Sequence, residues 1–187
     1  MRSIIALPAA ALAIAAPLAA AQPVSVSAFR GVELRGGGHV MLRPGAVQRV
    51  ILISGSTQIT SFHVDRGGRL LIEACNTRCP RDYKLRVEIQ SPTVPNIGVS
   101  GGGQVVAASG FARQPRLVAA ANGGGRVDLR AVQAASVTAA VNGGGHVSVG
   151  RANTLMAAVS GGGLVQYRGD PKVTKAVQGG GAVTRLD

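Results

Sequence analysis

Apolar and polar residues alternate in short runs along much of the chain, and the runs recur. Leu117, Ala119 and Ala121 form one such run; Val137, Ala139 and Val141 form the next; Leu155, Ala157 and Val159 form a third. A second alternating pair follows each run: Val127 and Leu129, Val147 and Val149, Val165 and Tyr167. A period of two predicts strands with one buried face. Each unit therefore reads as strand, corner, strand, and no single strand is long enough to hold a core by itself.

The corner is a glycine triplet that occurs six times: Gly36–Gly38, Gly101–Gly103, Gly123–Gly125, Gly143–Gly145, Gly161–Gly163 and Gly179–Gly181. The last five begin 22, 20, 18 and 18 residues apart. Two residues past every triplet stands a valine: Val40, Val105, Val127, Val147, Val165 and Val183. Two residues before it the chain is apolar: Leu34, Val99, Ala121, Val141, Val159 and Val177. Repetition of this kind predicts units that bury their apolar faces by stacking. Glycine suits the corners because it accepts positive φ and has no Cβ to collide with the next coil. Asn122, Asn142, Ser100 and Ser160, just before their triplets, are expected to form a polar ladder by bonding their counterparts. The triplets fit neither collagen, which needs glycine every third residue, nor a nucleotide-binding loop, which needs GxGxxG opening a helix or a following Lys-Ser/Thr.

The chain before the regular repeats is less uniform. Strands are predicted over 29–34, 40–42, 50–53, 62–64, 70–74 and 85–89, with a hairpin turn at Gly67-Gly68 and a connection at Pro92, Pro95 and Asn96. These segments have the size of about three further coils with insertions. The reading is an all-β, single-domain right-handed parallel β-helix, or β-solenoid, with GGG corners and coils of 18–22 residues. Residues 1–21 read as a cleaved signal peptide: a basic start, an apolar stretch over 4–21, and small residues at Ala19 and Ala21. The mature domain is then 22–187, with no transmembrane segment.

Phe29 to Val32, the Pro92 to Pro95 entry, and the serial V-S-G-G-G-x-V coils (Val99–Val105, Val159–Val165) resemble the auto-transporter adhesin head GIN domain family over about residues 28–186. This chain uses GGG at every corner, where the family also uses Gly-Ser-Gly. The resemblance implies a right-handed parallel β-helix in an exported bacterial protein. It carries over no catalytic residues, because the family has no assigned function.

Composition adds a charge argument. Twenty basic residues stand against eight acidic ones, for a formal +12. Such a balance favours anionic partners: acidic glycan, lipopolysaccharide or an envelope protein, with nucleic acid disfavoured by export. Stacking would bring Arg130, Arg151 and Arg168 onto one edge as a candidate polyanion-binding stripe. His39 and His146, each just past a triplet, read as solvated surface residues. The acids are scattered rather than paired, so no catalytic residue, cofactor or metal site is expected. Cys75 and Cys79, the only cysteines, are expected to form a structural disulfide in an oxidising compartment, ahead of a metal site or a redox-active pair. The function expected is non-catalytic and adhesin-like: binding or scaffolding by an exported envelope protein through a repetitive solenoid face. The place is the periplasm, outer membrane or cell surface. A polyanion-binding module is the alternative, and a polysaccharide-acting enzyme ranks below both. Homo-oligomers through the solenoid ends are a further expectation.

Overall fold

The computed structural model describes residues 21–76 and 78–186, so the expected signal peptide, apart from Ala21, lies outside the described residues. Seventeen strands and no helix are found among them. The irregular half supplies β1 (Gln22–Val24), β2 (Gly31–Gly36), β3 (His39–Pro44), β4 (Arg49–Ser54), β5 (Ser61–Val64), β6 (Arg69–Glu73) and β7 (Arg86–Ser91). Five successive pairs follow: β8 (Asn96–Gly101) with β9 (Gln104–Ala107), β10 (Gln114–Asn122) with β11 (Arg126–Leu129), β12 (Ala134–Asn142) with β13 (His146–Arg151), β14 (Thr154–Ser160) with β15 (Leu164–Arg168), and β16 (Lys172–Gln178) with β17 (Ala182–Leu186).

The strands make two mixed sheets. One runs β1-β4-β7-β3-β9-β11-β13-β15-β17 and the other β16-β14-β12-β10-β8-β2-β6-β5. From β8 onward the chain crosses between the sheets at every triplet, and each strand pairs in parallel with its counterpart in the next unit. In this part the repeat alone dictates the architecture, because identical patterns stacked in register place like residues in files.

Those files are the core. Val40, Val105, Val127, Val147 and Val165 stand in one continuous register and are fully buried. Leu34, Val99, Ala121, Val141 and Val159 form the opposing file and are also buried. Each buried aliphatic side chain contributes about 1.5–3 kcal/mol relative to an exposed one. Both files fray at the last unit, where Val183 is half-buried and Val177 exposed.

Two of the three corner glycines have distinct physical reasons. The first has positive φ at every corner, 103° at Gly161 for example, a region that other residues rarely adopt. The third lies over the apolar residue of the preceding unit: a Cβ on Gly163 would come 2.3 Å from Val141 Cγ1, and one on Gly125 2.4 Å from Val99 Cγ1. A Cβ on the middle glycine would meet nothing within 4 Å at any corner. The expected ladder between Asn122, Asn142 and Ser160 is not formed by side chains. These residues align, but the hydrogen bonds joining the corners are backbone ones, such as Gly123 N–H to Asn142 O at 2.8 Å. At those positions the main-chain ladder already satisfies the turn.

The N-terminal half departs from a simple run of coils. β2 and β3 lie between β6/β7 on one side and β8/β9 on the other, so the stacking order is not the sequence order. The first glycine corner thereby stacks directly on the second, with Gly102 N–H donating to Gly36 O at 2.8 Å and Gln104 N–H to Gly38 O at 2.9 Å. The β6/β7 unit has no triplet and connects instead through the segment holding the Cys75–Cys79 disulfide. Strands β1, β4 and β5 are antiparallel, not coil strands: β4 pairs β7 and β1 pairs β4, while β5 pairs β6 through a turn that includes Gly68 at φ 70°. They cover the edge of both sheets at this end, which blunts it against further strand addition.

Candidate functional site

Every outward residue of a stacked strand also falls into a file, so the two outer faces are built from repeated chemistry. On the eight-stranded sheet the regular units present Ala120, Ala140, Ala158 and Ala176 beside Val118, Thr138, Met156 and Thr174. That surface is small and uncharged, and Met156 is 57% exposed on it. The nine-stranded sheet is different. Its outward positions carry a set of basic side chains, among them Arg43, Arg86, Arg126 and Arg168, with Arg130 just past the end of β11.

The three arginines of the candidate stripe are brought together only in part. Arg151 and Arg168 are register partners across β13 and β15, beyond a shift between Val149 and Arg151. Gly150 sits at that irregularity, where a Cβ would come 2.1 Å from Val132 O. Arg168 shares a hollow of about 300 Å³ with Arg130, Asp128 and Val106. Arg130, however, is already held by Asp128, its Nε donating at 2.9 Å to Oδ1 and 3.0 Å to Oδ2. Burial would raise the Asp128 pKa, but hydrogen bonds from the Arg130 side chain and backbone outweigh it and hold the carboxyl below its ordinary value. The same contact raises Arg130 further above its already high value. The stripe therefore offers two unpaired guanidinium groups and one neutralised pair, a pairing that was hidden because Asp128 seemed alone in its own file.

A second neutralised pair lies further along the face, where Arg43 Nε donates to Glu88 Oε2 at 2.9 Å. His39 stands between Arg86 and Gln104. His146 follows Arg126, and its Nε2 lies 3.1 Å from Gln166 Oε1. A hollow of about 360 Å³ is bounded by His39, Met41, Arg43, Ile53, Arg86 and Glu88.

On the other sheet Glu33 is a buried carboxylate that sequence reading did not single out. It receives Arg35 Nε at 2.8 Å on Oε1 and Arg69 Nη1 at 2.8 Å on Oε2, clasping β2 to β6. Nothing in the sequence marked it, since Arg69 comes from a unit placed beside β2 only by the altered stacking order. The Glu33 carboxylate raises Arg35 above its ordinary value, first through the hydrogen bond. Cys75 and Cys79 are joined, with Cα atoms 5.8 Å apart. They border a hollow of about 350 Å³ together with Tyr83 and the first glycine corner. The Tyr83 hydroxyl is occupied there, 2.6 Å from Thr60 Oγ1 and accepting from Ser56 N–H at 2.9 Å. Among the described residues no three His, Cys, Asp or Glu side chains gather as metal ligands.

Comparison with solved structures finds the same fold in a "putative adhesin" of Bacteroides fragilis: TM-score 0.54, 17% identity, covering 89% of this chain and 96% of that one. A "putative adhesin" of Parabacteroides distasonis gives TM-score 0.55, 16% identity, and the same shares of 89% and 96%. At such identities the likeness concerns the fold. No match is found among curated proteins. Residues 106–171, which hold the most regular of the stacked units, match the family model described as "Putative auto-transporter adhesin, head GIN domain", the family whose motifs the repeats resemble.

Proposed function

We propose that this is a non-catalytic exported protein of the bacterial envelope, at the periplasm, outer membrane or cell surface, that binds or scaffolds in the manner of an adhesin. The units wind as a right-handed parallel β-helix in this reading. The observation that carries it is the register: parallel pairing repeats one side-chain position in successive units at the strand spacing of about 4.8 Å. A face of that kind engages a repetitive partner through many equivalent weak contacts, whose sum grows with the number of units engaged. The family match and the adhesin descriptions of the structural relatives support the same reading. The test is a glycan, lipid and envelope-protein array probed with mature protein. Concentration-dependent binding to a repetitive surface component is expected, and turnover of a glycan in place of binding would overturn the reading.

A second reading is a polyanion-binding module through the Arg130, Arg151 and Arg168 edge, favoured by the adjacency of Arg151 and Arg168. Guanidinium groups grip carboxylate, sulfate or phosphate in bidentate fashion. Retention on heparin or lipopolysaccharide should then weaken in the triple Arg→Gln variant, and unchanged retention would remove this reading.

A further inference from the structure

The first outward residues of β7, β3, β9, β11 and β13 form a polar file on the nine-stranded sheet, which continues beyond them with the apolar Leu164 and Ala182. The order is Arg86, His39, Gln104, Arg126, His146, each in register with the next. All five side chains carry N–H groups able to donate. The file exists because β3 is placed between β7 and β9, which joins residues from three separate stretches of the sequence.

Its charges are available. Arg86 and Arg126 are exposed, and neither makes a side-chain hydrogen bond or ion pair among the described residues. They stand three strands apart, about 14 Å at the usual strand spacing, beyond the screening length of about 8 Å at physiological salt. Each can therefore stay unpaired with little repulsion from the other, whereas Arg151 and Arg168 are immediate neighbours. The acids in the adjacent file, Glu88 and Asp128, are engaged from their far side by Arg43 and Arg130, and the Arg126 charge adds a smaller attraction to Asp128 without a direct contact. Between those acids the adjacent file is apolar, consisting of half-buried Met41 and Val106.

We infer that this file is the binding site of a linear acidic polysaccharide lying along the stack of units. Arg86 and Arg126 take acid groups of the polymer in bidentate hydrogen bonds. His39, Gln104 and His146 bond its hydroxyls, and Met41 with Val106 meets the apolar faces of its sugar rings. One donor per strand step matches a polymer whose repeat along its axis is of similar length. Among the described residues the outward positions of this file and its neighbour carry no aromatic side chain on which bases could stack, and the guanidinium groups with hydroxyl-bonding partners between them suit an acidic glycan. This inference rests on the nine-stranded face being a binding surface, but not on the Arg130–Arg151–Arg168 edge.

The test measures affinity of the mature protein for polygalacturonate, with neutral dextran as control. Two variants remove the same charge from different places: Arg86→Gln/Arg126→Gln on the file, and Arg66→Gln/Arg116→Gln on the other sheet, in the β5–β6 turn and β10. All four side chains are exposed, and matching thermal transitions would verify that both variants fold. The first variant is expected to lose about tenfold or more in affinity, as two charge-assisted contacts imply, and the second less than about threefold, as long-range charge alone implies. Equal losses would show a nonspecific charge effect and overturn the file as a site. So would a wild type that ignores polygalacturonate while binding another surface component on the array, an outcome that leaves the adhesin-like reading standing.

Discussion

Lys175 stands in the same inward-facing file as Ala157, one strand beyond it at the open end of the eight-stranded sheet. The three preceding members of that file, Ala119, Ala139 and Ala157, are buried. A lysine at this point places a charge where a further unit would need an apolar side chain, a known device against edge-to-edge pairing. The opposite end is covered by antiparallel strands, so the two ends are blunted by different means. End-to-end association, expected from the open coil, should therefore be held back by Lys175. Lys175→Val is expected to promote it, visible as a concentration-dependent rise in sedimentation coefficient relative to wild type. An unchanged sedimentation profile at all concentrations would show that Lys175 is not what blunts this end.

The glycine triplet makes a three-way prediction within one corner. Gly162→Ala should be neutral or stabilising by about 0.4–1 kcal/mol, because a methyl there meets nothing and the unfolded chain loses freedom. Gly161→Ala and Gly163→Ala should each cost about 1–3 kcal/mol, the first from positive φ and the second from collision with Val141. Denaturant midpoints of the three variants would decide this, and equal effects at all three positions would contradict it.

Core position along the stack should grade the cost of truncation. Leu155 is 1% exposed, and Leu155→Ala should lose about 2–5 kcal/mol. Val177 occupies the file of buried Val159 but is 41% exposed in the last unit, so Val177→Ala should stay within about 0.5 kcal/mol. Urea unfolding of both variants measures the contrast.

The Asp128 carboxyl is held below its ordinary value of 3.8 because the hydrogen bonds from Arg130 outweigh the effect of its partial burial. A depressed folded-state pKa contributes stability above the unfolded value and loses it as pH falls through the folded one. Asp128→Asn should therefore be less stable than wild type near neutral pH, and the gap should narrow as pH falls below 3.8. Chemical denaturation across that range checks the sign, and a gap that widens on acidification would refute it.

Much of the architecture was legible because the repeat is dense. From Val99 onward the triplets, the alternating runs and the trailing valines predict which residues are strands and which are core, and the structure places Val105, Val127, Val147 and Val165 in one buried file. The hairpin at Gly67-Gly68 and the passage through Pro92–Asn96 were equally readable, since glycine and proline restrict the backbone locally.

By itself the sequence determined the strands, the corners and the alternation between buried and exposed positions, because these follow from neighbours within a few residues and from a repeat that copies them. Only the tertiary structure decided which unit lies against which. Nothing local could disclose that β3 lies between β7 and β9, that Arg69 reaches Glu33, or that Arg86 and His39 continue the file of Arg126 and His146. Those relations depend on which long-range stacking buries the most apolar surface and lets glycine corner meet glycine corner, a choice made by the whole chain at once.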